Sequence, residues 1–138
     1  MMNRTIILSI VLLLLANLAW SQAETGTYLH RQHQHGDYTL NYRVLYPDGF
    51  DENRRYPVVL FLHGRGESGD DNEKQLVHGS SLFLKTQAKY PAIVIFPQCP
   101  TSDYWSNIDR IEKDGGGLQF KFPYDRPANP ALAAVMDL

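Results

Sequence analysis

The chain has 138 residues, 43% hydrophobic and 20% charged, a composition that excludes a disordered polar tract and allows one small domain. Thirteen Lys and Arg against 15 Asp and Glu give a net charge of −2, which argues against a nucleic-acid-binding arm or a polyacidic tail. A single cysteine, Cys99, excludes an internal disulfide framework and any multi-cysteine zinc site.

The first 23 residues read as a secretory signal peptide. Arg4 supplies the positive start, and Ile6 to Leu15 is apolar apart from Ser9. Thr5 to Ala16 spans 12 residues, short of the roughly 20 needed to cross a bilayer. Small residues at Ser21 and Ala23 allow cleavage after Ala23, and Ala19 with Ser21 allows it after Ser21. An uncleaved anchor is the alternative, and no cysteine follows to carry a lipid. Cleavage after Ala23 leaves residues 24–138, a chain of 115 residues with net charge −3 that is expected to be exported and to have no stable membrane span.

Thr27 to Gln34 and Tyr38 to Tyr46 are extended runs separated by His35-Gly36-Asp37. In the second run Tyr38, Leu40, Tyr42, Val44 and Tyr46 alternate with Thr39, Asn41, Arg43 and Leu45, which predicts an antiparallel strand buried on one face. Gly36-Asp37 then predicts a hairpin. Pro47-Asp48-Gly49 is a turn and Asp51 to Arg55 a polar loop.

Pro57 to Leu62 and Pro91 to Pro97 are continuous apolar runs, as in parallel strands covered on both faces. Between them lie a Gly-rich loop and a helical stretch over Leu76 to Lys89, enough chain for a crossover. The predicted fold class is therefore α/β, an antiparallel hairpin feeding a parallel sheet. From Pro97 to Pro127 the pattern is irregular, with Tyr104-Trp105-Ser106 and Gly115-Gly116-Gly117 inside it. A long aromatic-bearing excursion after a strand covers binding sites in enzymes, which makes Tyr104 and Trp105 substrate-binding candidates. Asn129 is a good N-cap and Pro130 suits the first helical position. The helix that follows reaches Leu138 with no terminating signal, so the chain is expected to stop inside a helix.

Directly after the first buried run comes Leu62-His63-Gly64-Arg65-Gly66-Glu67-Ser68-Gly69-Asp70-Asp71-Asn72. Glycines there let the backbone turn sharply, so that N–H groups of Gly64, Arg65 and Gly66 can face a developing oxyanion. The same glycines match Gly-x-Gly-x-x-Gly, the dinucleotide fingerprint. Asp70, Asp71 and Glu73 oppose that reading, because a negative cluster repels a pyrophosphate. The second strand also ends Phe96-Pro97-Gln98, without an acid for a ribose hydroxyl.

The segment Tyr56 to Asn72 resembles the N-terminal part of secreted α/β-hydrolases, described as predicted peptidases, phospholipase/carboxylesterase-like proteins or polyhydroxybutyrate-depolymerase-type esterases. Leu40 to Pro47 resembles their second strand, Ala92 to Pro100 their fourth, and Tyr104-Trp105 falls where they carry aromatics. Arg65 departs from the Gly or Ala often found at its position. The resemblance, over roughly residues 38 to 138, implies an incomplete α/β-hydrolase fold acting on a small-molecule ester or acylated substrate, with peptides the second possibility and no cofactor. That family needs Gly-x-Ser-x-Gly followed by Asp and His. Ser68 is one residue short of the pattern, Ser81 lacks the second glycine, and Ser102 and Ser106 lie in the loop. The resemblance therefore implies that the catalytic residues fall beyond the helix starting at Asn129, that the chain itself is inactive, and that Val58 to Leu62, within the central strand expected over residues 57–62, would form an open apolar edge prone to association. The rival reading is a small exported binding protein that stacks ring compounds on Tyr104 and Trp105.

Other residues carry plainer expectations. His63 is expected to prop the loop rather than act as a base. His33 and His35 share a strand face and His30 lies near, but without an evident third ligand they predict a solvated strand, not a metal site. His78 is expected on a helix surface, Cys99 in packing rather than nucleophilic attack, and Asp70, Asp71 and Glu73 as helix-capping residues.

Overall fold

The computed structural model describes residues 27–138. The signal peptide expected over residues 1–23, with its cleavage sites, lies outside the described residues. Among the described residues no helix is long and apolar enough to cross a membrane.

Four strands, β1 (Leu29–His35), β2 (Tyr38–Leu45), β3 (Val58–Leu60) and β4 (Ile93–Pro97), form one sheet in the order β1-β2-β4-β3. The first pair is the predicted hairpin, closed by Gly36-Asp37 with His35 opposite Tyr38. Gly36 has φ +57°, which a residue with a Cβ adopts with difficulty. β2 runs antiparallel to β4, and β3 runs parallel to β4.

Each face of the sheet packs differently. On one, Leu45, Val94, Phe96 and Tyr28 are buried together, with Val59, Phe61, Leu76 and Phe83 against them. Phe61 stacks on Phe96 at 4.7 Å, and Phe83 meets it edge-on at 5.8 Å. This face is covered by a 3-10 turn at Lys74–Leu76 and by helix α1 (Ser80–Thr86). On the other face, helix α2 (Pro130–Asp137) sets Ala134 and Val135 on Leu40, with Tyr38 and Trp105 alongside.

Several expectations need correction. The crossover helix is shorter than Leu76 to Lys89, because Gly79 stands at φ +81° and ends the preceding turn before α1 begins. A Cβ at Gly79 would lie 2.7 Å from the Phe61 ring, so the tight seat of α1 on β3 requires glycine. β1 starts two residues later than the sequence pattern predicts. The C-terminal half of β2 is buried on both faces, since Arg43 and Leu45 join Val44 inside. Conversely β3 is bare on one face: Val58 is 61% and Leu60 44% exposed, and among the described residues β4 is its one strand partner.

The excursion predicted to be irregular holds a second, two-stranded sheet, β5 (Asp109–Glu112) against β6 (Leu118–Lys121). Gly115, Gly116 and Gly117 all have positive φ, the conformations that let five residues reverse the chain. Asn129 does occupy the N-cap position of α2, but its side chain makes no capping bond. The cap comes from Asp103, whose Oδ2 accepts from the Ala131 N–H at 3.1 Å.

Candidate functional site

The end of β3 delivers the chain into a 3-10 turn, Arg65–Glu67, with Gly64 in extended conformation before it. Glu67 N–H donates to Gly64 O at 3.3 Å and Ser68 N–H to Arg65 O at 3.4 Å. Arg65 and Gly66 open the turn, so their N–H groups have no acceptor within it and remain available to an outside group. The third glycine of the dinucleotide-like pattern, Gly69, opens no helix; α1 starts only at Ser80.

His63 sits buried at the base of this turn. Cys99 N–H donates to its Nε2 at 2.9 Å, so Nδ1 carries the proton and donates to Gly64 O at 2.6 Å. Both ring nitrogens are thus engaged by backbone, the prop that the sequence leads one to expect. The His63 carbonyl accepts from Trp105 Nε1 at 3.1 Å, and the two rings meet edge-on at 5.3 Å.

Arg65 turns its side chain toward the next loop. Nη1 donates to Asp103 O at 2.8 Å and reaches Ser68 Oγ at 3.4 Å, while Nη2 donates to Thr101 O. The guanidinium lies over the Tyr104 ring, 4.4 Å from its centroid. From the opposite side Asn129 Nδ2 donates to Tyr104 O at 2.6 Å and also to Asp103 Oδ1. These contacts border a half-open cleft of about 60 Å³ lined by Gly64, Arg65, Tyr104 and Trp105, with His63, Ser68, Cys99 and Asp103 completing it. Four of the five candidate residues therefore meet at one place, and Gly66 lies just outside the lining. Cys99 is buried, and burial with the nearby Asp103 charge pushes its thiol up to about 12, which disfavours the nucleophilic thiolate.

A polar seam anchors the loop from below, and composition alone does not reveal it. Gln98 at the end of β4 accepts from Asn72 N–H at 2.6 Å and donates to Asp71 Oδ1 at 2.7 Å. Asp71 Oδ1 also accepts from the N–H groups of Glu73 and Lys74, capping the 3-10 turn at Lys74–Leu76. These three donors hold the Asp71 carboxyl far below the usual carboxylate range. Asn72, at φ +54°, accepts from Gln75 at 2.5 Å and donates to Tyr42 O at 3.3 Å. Asn tolerates this left-handed conformation better than most residues, a signal present in Asp70-Asp71-Asn72. Of the expected capping acids, only Asp71 caps; Glu73 pairs instead with the buried Arg43 at 2.9 Å.

His33 and His35 do share a face, and both meet Asp137 of α2, at 2.9 and 3.1 Å. Among the described residues no group of three His, Cys, Asp or Glu has metal-holding geometry. A larger groove of about 710 Å³ between α1 and β3 is lined mostly by apolar side chains, Val59, Leu82, Phe83 and Tyr90 among them, with Thr86, Gln87 and Lys89 at α1 and just beyond it.

No family model and no curated protein matches the chain. Among solved structures it is similar to one described as the crystal structure of a thermostable esterase, with 28% sequence identity and a TM-score of 0.62. The similarity covers 80% of this chain and 28% of that one, so the chain spans little more than a quarter of the esterase's length. The chain thus carries part of an esterase-like α/β fold.

Proposed function

We propose that this chain forms the N-terminal portion of an exported serine hydrolase of the α/β-hydrolase superfamily, acting on small-molecule carboxylic esters. One observation carries the reading: the turn at Gly64–Glu67 follows β3 with two N–H groups, of Arg65 and Gly66, that have no acceptor among the described residues, beside an aromatic-walled cleft, inside a fold similar to an esterase. Attack of a serine on an ester carbonyl places negative charge on the carbonyl oxygen. The N–H groups of Arg65 and Gly66 answer that charge, with Gly64 allowing the backbone to approach. One such donor is worth about 2.7–4 kcal/mol in the transition state. Tyr104 and Trp105 wall the substrate side. The nucleophile, its histidine and the carboxylate come from sequence beyond residue 138, and the reaction needs no cofactor.

The test is made on the protein as its cells export it. An antibody raised against residues 24–138 is used to capture it, and a fluorophosphonate probe is used to label it. The expected product is longer than this chain, is labelled stoichiometrically at a Gly-x-Ser-x-Gly serine, and hydrolyses p-nitrophenyl acetate. The 138-residue chain alone is expected to do neither. A native product that ends at Leu138 and takes no label would overturn the proposal in favour of the ring-binding reading.

A further inference from the structure

We infer that Arg65 is a positioning residue that locks the Thr101–Trp105 loop onto the oxyanion turn and thereby restricts the site to short acyl groups; the acyl-length part rests on the hydrolase reading above. The loop is fixed at its two ends by His63, through the Cys99 N–H and the Trp105 indole N–H. Between those points the contacts on the side facing the turn come from Arg65, which binds the carbonyls of Thr101 and Asp103 and lies on the Tyr104 ring. Asn129 holds the same loop from the α2 side. Arg65 is therefore the piece that draws Tyr104 toward the donors. Its own backbone N–H is one of those donors, so a single residue links the wall of the cavity to its polar end.

The cleft has a volume of about 60 Å³ and opens to solvent on one side. A water-sized group needs about 10–15 Å³ on this measure, so the cleft shelters about four to six such groups, the size of a short acyl chain. A planar guanidinium can bridge two carbonyls and stack on a ring at once, whereas a compact ammonium cannot hold both contacts together. Lysine should therefore fail to substitute for Arg65.

Trp105 reports directly on the loop. In the 138-residue chain carrying Trp20→Phe, so that Trp105 is its sole tryptophan, acrylamide quenching and emission maximum are compared for Arg65, Arg65→Lys and Arg65→Ala. Both variants are expected to raise quenching and shift emission to longer wavelength, with the far-ultraviolet circular dichroism of the parent retained. Unchanged Trp105 signals in both variants overturn the lock, and full retention by Arg65→Lys overturns the bridging role assigned to the guanidinium. If either variant fails to fold, Tyr104→Leu, which removes only the stacked ring, must give an intermediate rise in quenching. In the native exported product, Arg65→Ala is expected to lower the ratio of acetyl to octanoyl ester turnover, and an unchanged ratio overturns the acyl-length claim. Absence of any turnover before mutation defeats the hydrolase reading itself, while the fluorescence result still decides the lock.

Discussion

Residues 63–76 and 107–127 are both glycine-bearing excursions from the sheet, and they become ordered by opposite routes. The first has no regular structure beyond two 3-10 turns, yet His63, Ser68, Asn72 and Gln75 are buried within it. Side chains do the work there: Gln98, Asp71 and His63 each bind two or more backbone or side-chain groups. The second contains a complete antiparallel ladder, and every residue of β5 and β6 is exposed. Its base is closed by Arg126 to Asp109 at 2.6 Å and by Asn107 to Pro127 O at 2.9 Å. Regular backbone bonding and burial are separate properties, and the candidate site was built on the buried, irregular stretch.

If that contrast is right, Gln98→Ala should be the costliest substitution. It leaves the buried Asn72 N–H without its acceptor, at a cost of about 1–3 kcal/mol, and strips one of three donors from the exposed Asp71 carboxylate. Thermal melting should fall accordingly, and a shift no larger than that of a surface substitution would show that the seam does not carry the loop.

Acid should act on the same stretch more gently. The Asp71 carboxyl is held well below its ordinary value by Gln98 and by two backbone N–H groups. A lowered folded value means that its stabilisation is fully present above the unfolded pKa, about 3.9, and is lost as pH falls through the folded value. Melting temperature is expected to drop steadily below about pH 4, and Asp71→Asn should flatten that slope while lowering stability at neutral pH. An unchanged slope would assign the acid sensitivity to other carboxylates.

The smallest effect belongs to the hairpin. Phe120→Ser removes an aromatic that is 47% exposed and should change stability by no more than about 0.5 kcal/mol. A larger loss would mean that β6 is covered in solution, and would erase the contrast.

The strands were legible because their signals are local. Alternation in Tyr38 to Tyr46, the Gly36-Asp37 turn and two apolar runs were enough to place β1, β2 and β4, and to locate β3 within Pro57 to Leu62. Leu118, Phe120 and Phe122 alternate with Gln119 and Lys121 after Asp114-Gly115, so β6 also had a period-two signal, overshadowed by three consecutive glycines. Gly64 and Arg65 stood out through the Gly-rich turn after a strand, and Tyr104 and Trp105 through the aromatic loop after another, but their meeting at one cleft was not written in either segment. What the sequence could not display were bonds across long separations: Asp103 capping a helix 28 residues later, Gln98 holding Asn72, and Arg65 reaching Thr101 and Asp103. Nothing in the local pattern of any of these residues distinguishes them from ordinary surface polar groups.

Cys99 gives this junction a clock. Its thiol is buried where β4 ends, its N–H is bound to His63, and its carbonyl accepts from Gly69. A thiol reagent reaches the buried sulfur only when the packing at this junction opens. With fast reclosing, the rate of labelling in native buffer therefore measures the free energy of opening at this junction. The only cysteine in the chain thus offers a probe of local breathing at the edge of the site, without the introduction of any foreign group.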